Sequence, residues 1–265
     1  MSVISLILLG WIAAAALMAL LWLVQLRTGD AGIVDVAWAA GVGLLSAGFA
    51  ALSPGLASRQ WMVLAVVLVW ALRLAGYVLV RVLTLPEDGR YTALKQQWGS
   101  QATWKMFRFY QLQALGVVLF ALPILIALRN PEPLAFLDWI GLLIGLFSIA
   151  GESIADLQLS RFRSRPENRG QVCDRGLWRY SRHPNYFFEW LHWWAYVCFA
   201  ISHWPWGTLT LLGPLTMWYL ITRVTGIPPT EAQSLKSRGE AYRRYQQTTS
   251  PFFPWFPRNI PKATG

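Results

Sequence analysis

The sequence predicts an all-α membrane protein with seven transmembrane helices, and three observations predict this fold class. Of the 265 residues, 55% are apolar and 14% are charged, which is about half the charged fraction of an average soluble domain. The mean hydropathy is +0.38. Apolar runs recur between prolines, each with the roughly 20 residues that a helix needs to cross a bilayer core. The same composition excludes a disordered chain and a disulfide-stapled secreted domain.

The apolar runs define the elements in chain order. The first run has no basic residue before Arg27, so it lacks the basic start of a cleaved signal peptide and is predicted to remain as a membrane anchor. No repeat and no separate soluble segment interrupts the series, which predicts a single domain over residues 1–265. The predicted spans are residues 3–25, 32–52, 60–84, 110–128, 137–160, 185–203 and 206–224.

The basic residues fall almost entirely on one side of these spans. Of the 23 Lys and Arg residues, 20 lie in segments 81–108, 161–182 and 223–265 or at Arg27. Because cytoplasmic loops are enriched in Lys and Arg, we predict an outer N-terminus and a cytoplasmic C-terminus. The net charge of +10 does not indicate nucleic acid binding, since the basic residues lie between apolar spans rather than in a basic domain.

Several ionisable residues lie inside the predicted spans, where each costs on the order of 3 kcal/mol. Glu152 and Asp156 are four residues apart and therefore share one helix face, as do Asn185 and Glu189. The ionisable residues at membrane depth are Asp35, Arg73, Glu152, Asp156 and Glu189.

Three interpretations of these residues stay open. The two pairs on helix faces would accept hydrogen bonds from the ribose and carboxamide groups of a nucleotide, which is the interpretation we favour. Alternatively, they would form an interhelical hydrogen-bond network or a proton relay. Asp35 and Arg73 would alternatively form a buried structural ion pair.

Segment 161–182 contains seven arginines and no lysine. A topology signal alone would be served equally by lysine, whereas the planar arginine fork matches phosphate bidentately. Arg182 and His183 precede Pro184, which is suited to the first position of the sixth helix, so its N-terminus is a candidate anion site. We favour pyrophosphate over inner-leaflet phospholipid as the anion. Cys173, Cys198 and the three histidines lack the spacing of metal ligands, which predicts free thiols and no metal site.

Residues 176–190, which include Ser181-Arg182-His183-Pro184-Asn185 and Glu189, resemble the signature of the steroid 5α-reductase family. Within that family they are most similar to the bacterial DUF1295 branch. The resemblance covers roughly residues 30 to 257. Supporting stretches are residues 34–38, 70–74, 87–91, 151–156, 240–245 and 250–255.

The resemblance implies an integral protein of the bacterial inner membrane that reduces the conjugated C=C bond of a lipid-like enone with NADPH. The family's default reaction converts a Δ4-3-oxosteroid to its 5α-dihydro product. The cofactor would bind in a cavity that faces the cytoplasm, and the substrate would enter from the bilayer. Contacts with membrane lipids are implied, and no protein partner is evident.

The resemblance also implies roles for individual residues. Asn185 and Glu189 would bind the nicotinamide half of NADPH, and Glu152 and Asp156 its ribose or carboxamide. The phosphates would be bound by Arg73, Arg90, Arg163 and Arg223. The other cofactor residues would be Gln113, Arg182, His183, Tyr242 and Tyr245.

The substrate half departs from the animal enzymes, which have a Gln-Glu pair on the second helix and a Tyr on the third. Here the second helix has Asp35, and Trp70 stands where the Tyr would align. Asp35 is the candidate catalytic acid because a neutral carboxyl would stabilise the enolate oxygen that forms on hydride transfer. Trp38 and Trp70 are the further candidate substrate residues.

Two rival functions stay open. The first is an S-adenosylmethionine-dependent membrane methyltransferase of the isoprenylcysteine carboxyl type, which shares an Arg-His-Pro-x-Tyr element. The second is a lipid-binding or transport module, against which the lack of internal repeats argues. The tail residues that match the methyltransferase are Glu231, Leu235, Gly239, Tyr242, Tyr245 and Pro251.

Overall fold

A computed structural model describes residues 1–258 of the chain. Within this range the regular structure is helical, and no β-strand is formed. The α-helices are α1 (Val3–Thr28), α2 (Ile33–Leu52), α3 (Ala57–Thr84), α4 (Gly89–Trp98), α5 (Ala102–Leu128), α6 (Phe136–Arg163), α7 (Pro184–Ala200), α8 (Leu212–Tyr219), α9 (Ile227–Arg238) and α10 (Glu240–Thr248).

Local sequence signals set the ends of several helices. The Ser2 side chain accepts a hydrogen bond from the Ser5 N–H and caps the start of α1. Gly29 ends α1 at φ 77°, a left-handed conformation that glycine adopts without steric cost, and its N–H donates to the Gln25 carbonyl. Asp88 caps α4 by accepting a hydrogen bond from the Arg90 N–H.

Five helical segments in the described range are long and apolar enough to cross a membrane: α1, α2, α3, the combined segment Gly89–Leu128, and α6. They cover the first five predicted spans except for position 32, which confirms a multi-pass, all-α membrane protein. On α1, large apolar side chains such as Leu9 and Ile12 are more than half exposed. Such surfaces suit contact with lipid, as predicted for this chain.

The last two predicted spans fold less regularly. The α7 helix has 17 residues, which corresponds to about 25 Å of helix. The segment predicted as a span over 206–224 is helical in three pieces: a 3₁₀ turn at Trp206–Leu211, α8, and a π-helical turn at Leu220–Val224. Neither segment provides a single α-helix of 18 residues.

The chain divides into two compact units. The first comprises Met1–Leu142 and Ala195–Gly213, and the second comprises Leu143–Trp194 and the chain from Pro214 onward. In the first unit, α2 packs against α1, α3 and α5, with Val42, Val66 and Trp70 fully buried. In the second unit, α9 packs against α10 and against the π-helical turn.

A fully buried arginine organises one end of the first unit. Arg59, near the start of α3, is 0% exposed, and its guanidinium donates to both carboxylate oxygens of Asp138 at 2.6 and 3.0 Å. It also donates to the carbonyls of Asn130, Glu132 and Pro133. A buried ion pair is tolerated when its remaining donors are satisfied, and here they are.

The same end of the first unit also includes the end of α7. The Asn130 side-chain amide donates to the Phe199 carbonyl at 2.8 Å and to the Ser202 hydroxyl at 2.9 Å. The start of α3, the connection from α5 to α6 and the end of α7 therefore lie together.

Candidate functional site

The candidate acid Asp35 lies on the first turn of α2 and is part of a hydrogen-bonded cluster in the first unit. One carboxylate oxygen accepts a hydrogen bond from the Tyr91 hydroxyl at 2.7 Å, and the other accepts one from the Arg90 guanidinium at 3.3 Å. Among the described residues, the cation paired with Asp35 is Arg90 rather than Arg73. The alternative interpretation of an Asp35–Arg73 ion pair is therefore wrong.

Arg90, a predicted phosphate ligand, also contacts a second carboxylate. Its guanidinium donates to Asp88 at 3.1 and 3.2 Å, and Arg81 donates to the same carboxylate at 2.8 Å. Burial alone would raise the pKa of Asp88, but the hydrogen bonds and charge of Arg90, with the charge of Arg81, lower it to about 2. Arg90 is thus fixed between two carboxylates.

The two predicted substrate tryptophans are in contact. The Trp38 and Trp70 rings meet edge to face with centroids 5.9 Å apart, and Trp38 meets Phe120 on α5 in the same manner at 5.4 Å. Trp38 follows Asp35 by three residues on α2 and therefore shares a helix face with it. Along α3, the Arg73 guanidinium lies over the Tyr77 ring at 5.6 Å.

In the second unit, a hydrogen bond joins the two polar helix faces that the sequence predicted. The Asn185 side-chain amide donates to the Asp156 carboxylate at 3.1 Å. Glu189 accepts a hydrogen bond from the Trp193 indole at 3.1 Å. Glu152, Asp156 and Glu189 are 5%, 4% and 8% exposed. We refer to Glu152, Asp156, Asn185 and Glu189 as the carboxylate cluster.

A second polar network of this unit surrounds Glu231. One carboxylate oxygen accepts hydrogen bonds from Arg182 at 2.7 Å, from His183 at 3.2 Å and from the Tyr242 hydroxyl at 3.5 Å. The other accepts one from the Gln246 amide at 2.8 Å. Four side chains, two from the loop before α7 and two from α10, therefore converge on a single carboxylate of α9.

This convergence determines the ionisation of Glu231. Burial alone would raise its pKa, but hydrogen bonds from His183 and Arg182 and the charge of Arg182 lower it to about 2. Burial lowers the pKa of His183, so its ring stays neutral and donates through Nε2.

Arg182 and Tyr245 also tie the C-terminal segment to the loop before α7. Arg182 donates to the carbonyls of Gln246 and Thr249 at 2.9 and 2.7 Å. The Tyr245 hydroxyl donates to the Trp178 carbonyl. The predicted cofactor residues Arg182, His183, Tyr242 and Tyr245 are thus all hydrogen-bonded within the protein.

Sequence reasoning did not assign a role to Tyr91 or assign Glu231 to the cofactor site. Tyr91 follows Arg90 directly, and no spacing rule connects it to Asp35. Glu231 had a detectable signal: it is the only acidic residue between Glu189 and Glu240, in a region rich in arginine.

The arginine-rich segment forms a cavity of about 280 Å³ at the end of α6. Arg163, the predicted phosphate ligand of this segment, is exposed and is not among the lining residues. Arg223 is also exposed, on the π-helical turn, and Gln113 is half-buried on α5. The cavity is lined by Gln158, Arg161, Phe162, Arg165, Asn168, Cys173, Arg175 and Gly176.

Residues 21–249 match the family described as Protein of unknown function (DUF1295). The chain belongs to this family. Comparison with curated proteins and with solved structures gave no match. The matched range includes both polar networks, the arginine-lined cavity and every predicted site residue. Family membership confirms the DUF1295 part of the predicted resemblance and leaves the activity to be argued from the site.

Proposed function

We propose that this protein is a reductase that uses NADPH to reduce the conjugated C=C bond of a lipid-like enone, with a Δ4-3-oxosteroid as the first substrate to test. The observation that carries the proposal is the Asp156–Asn185 hydrogen bond, which gathers the carboxylate cluster on α6 and α7. Buried carboxylates at membrane depth are expensive and mark functional sites.

The chemistry of the carboxylate cluster suits the sugar and amide groups of NADPH. Ribose hydroxyls and the nicotinamide carboxamide are donors, and carboxylates are acceptors. Asn185 offers both a donor and an acceptor to the carboxamide. In the proposed complex, Glu152 and Asp156 bind the ribose or carboxamide, and Asn185 and Glu189 orient the nicotinamide. NADPH, when bound, supplies a hydride.

Basic and aromatic residues complete the proposed cofactor contacts. Arg163 and Arg223 are exposed and are proposed to bind the phosphates, whereas Arg182 and His183 position the start of α7 through Glu231. The remaining assignments are Arg73, Arg90, Gln113, Tyr242 and Tyr245.

The Asp35–Tyr91 pair is proposed to polarise the substrate ketone. As the enone β-carbon accepts a hydride, negative charge develops on the ketone oxygen, and a donated hydrogen bond stabilises it. Tyr91 donates its single hydroxyl proton to Asp35 at 2.7 Å and so orients that carboxyl, which in its neutral form would donate a hydrogen bond to the ketone oxygen. Trp38 and Trp70 would provide apolar contacts for the substrate.

The proposal includes seven spans in a bacterial inner membrane, with the N-terminus outside and the C-terminus in the cytoplasm. The contact of Asn130 with Phe199 supports the sixth span. Because α6 starts beside Asn130 and crosses the membrane, the chain must cross back through α7 to return there.

A ligand-dependent melting experiment tests the cofactor. The melting temperature of purified protein in detergent is measured with NADPH, NADH or S-adenosylmethionine. A ligand that binds only the folded state, present at 100 times its Kd, raises the free energy of unfolding by about 2.7 kcal/mol. We expect a shift with NADPH that Asn185→Ala greatly reduces. The matched control is Glu167→Gln, an exposed acid of the same unit, which should keep the full shift.

Turnover of a Δ4-3-oxosteroid in the same preparation tests the chemistry. The Asp35→Asn and Tyr91→Phe variants should still show the rise in melting temperature with NADPH. Their turnover rate should fall by about 100-fold or more. Unchanged turnover in both variants would remove the pair from the mechanism, and no shift with any nucleotide would overturn the proposal.

The methyltransferase remains the second candidate because of one observation. Residues shared with it, namely Arg182, His183, Glu231 and Tyr242, form a single network. A melting shift with S-adenosylmethionine alone would favour that function.

A further inference from the structure

The arginine-lined cavity contains positive charge that no group among residues 1–258 neutralises by an ion pair. Arg161, Arg165 and Arg175 line it, and within residues 1–258 none of their guanidinium groups forms a hydrogen bond or an ion pair with the protein. The acids of the same loop, Glu167 and Asp174, form no ion pair with them in that range. Guanidinium groups around one cavity repel one another, and a bound anion relieves this repulsion.

The wall of this cavity is fixed by hydrogen bonds rather than by the arginines. Gln158 on α6 accepts a hydrogen bond from the Leu177 N–H at 2.9 Å, and the Asn168 amide donates to the Phe162 carbonyl at 2.8 Å. Gly176 approaches so closely that an added Cβ would lie 2.5 Å from the Gln158 oxygen. The loop therefore holds the cavity open before any ligand arrives.

We propose that the arginine cavity binds a phosphate-bearing anion. Guanidinium groups match phosphate oxygens bidentately, and three around one cavity suit a diphosphate or a phosphodiester. The volume of 280 Å³ lies just below the about 300 Å³ at which small-molecule pockets begin, so it admits a phosphate group rather than a whole nucleotide. None of the proposed cofactor residues lines the cavity, so the inference does not rest on the proposed reductase function.

Pyrophosphate is the probe. The full chain in zwitterionic detergent is titrated with pyrophosphate, and binding is followed by melting temperature and calorimetry. Each of Arg161→Gln, Arg165→Gln and Arg175→Gln should weaken saturable binding about tenfold or more, the range for a lost charge-assisted hydrogen bond. Arg169→Gln removes the same charge from an exposed position of the loop that does not line the cavity, and it should weaken binding by less than about threefold.

If Arg169→Gln weakened pyrophosphate binding as much as the cavity variants do, the proposal would be overturned. The absence of saturable pyrophosphate binding would overturn it as well. The apo melting temperature of each variant is measured first. Because these arginines are exposed and their guanidinium groups form no hydrogen bond or ion pair with residues 1–258, folding should be unaffected. Asn185→Ala keeps this result separate from the reductase function, since it should lose NADPH binding and retain pyrophosphate binding.

Competition identifies the source of the phosphate. NADPH and phosphatidylglycerol each compete with pyrophosphate on protein in phosphatidylcholine nanodiscs. Displacement by phosphatidylglycerol would identify a phospholipid headgroup, and displacement by NADPH would identify a nucleotide phosphate. Displacement by neither would identify a free phosphate compound.

Discussion

Glu231 is ionised in the folded protein because one arginine and three neutral donors converge on it. Its pKa is about 2, compared with an ordinary value of 4.5. A carboxyl whose pKa is depressed on folding stabilises the fold fully above its ordinary pKa, and the stabilisation is lost as the pH falls toward the folded pKa. Glu231 should therefore contribute on the order of 3 kcal/mol above about pH 4.5 and progressively less below it.

Melting curves of the wild type and Glu231→Gln between pH 7 and pH 3 test this contribution. The variant should melt well below the wild type at pH 7. This difference in melting temperature should narrow below about pH 4.5, because the Glu231 carboxyl of the unfolded wild-type chain then becomes protonated while that of the folded protein stays ionised. Glu240→Gln is the control, since Glu240 forms an exposed ion pair with Arg243. If the difference in melting temperature between the wild type and Glu231→Gln stayed constant from pH 7 to pH 3, the depressed pKa of Glu231 would be contradicted.

Residue contacts could be predicted where helical periodicity governs them. The four-residue spacing placed Asp156 and Asn185 on polar faces, and the structure joins them. The partner of Asp35 could not be predicted in this way, because Arg90 lies 55 residues away across two loops. Spacing carries no information about such contacts, and the alternative of an Asp35–Arg73 ion pair, which rested on two charges inside predicted spans, was therefore wrong.

At the scale of elements, the loop from α6 to α7 converts an arginine-rich sequence into a cavity. The sequence indicated anion binding, and Arg163 was selected by resemblance. Which arginines line the cavity depends on the path of the loop, which Gly176 permits at φ 58°. A left-handed backbone costs a residue with a side chain roughly 1 kcal/mol or more. A side chain at 176 would also collide with Gln158.

Gly176→Ala should therefore destabilise the protein more than Gly170→Ala does. Gly170 has a similar φ of 78°, but an added Cβ there meets nothing within 4 Å. Gly170→Ala introduces only the strain of a left-handed backbone at an alanine, whereas Gly176→Ala also displaces Gln158 from the Leu177 N–H. The test is to measure the melting temperatures of the two variants in detergent. Equal decreases in melting temperature relative to the wild type would mean that the Gln158 contact does not support the loop.

The five long spans could be predicted because uninterrupted apolar runs determine them. The last two could not be predicted in detail. Pro214 and Gly213 lie at the start of α8, and the following residues form a π-helical turn, so hydropathy alone does not give the geometry of 206–224.

For the whole molecule, five spans and seven spans both place the termini on opposite sides of the membrane. Labelling the termini therefore cannot distinguish them, whereas the connection after α7 can. With seven spans and an outer N-terminus, His203 faces the exterior and Ser237 faces the cytoplasm. With five spans and the same N-terminus, both residues face the cytoplasm.

His203→Cys and Ser237→Cys, each in a Cys173→Ser, Cys198→Ser background, test this topology with a membrane-impermeant maleimide on spheroplasts. We expect His203→Cys to be labelled in intact spheroplasts and Ser237→Cys only after permeabilisation, because α7 returns the chain to the end of the first unit that contains Asn130. Labelling of both only after permeabilisation would establish five spans. The reverse pattern, with only Ser237→Cys labelled from outside, would invert the orientation and place the arginine cavity outside the cell, away from cytoplasmic nucleotides.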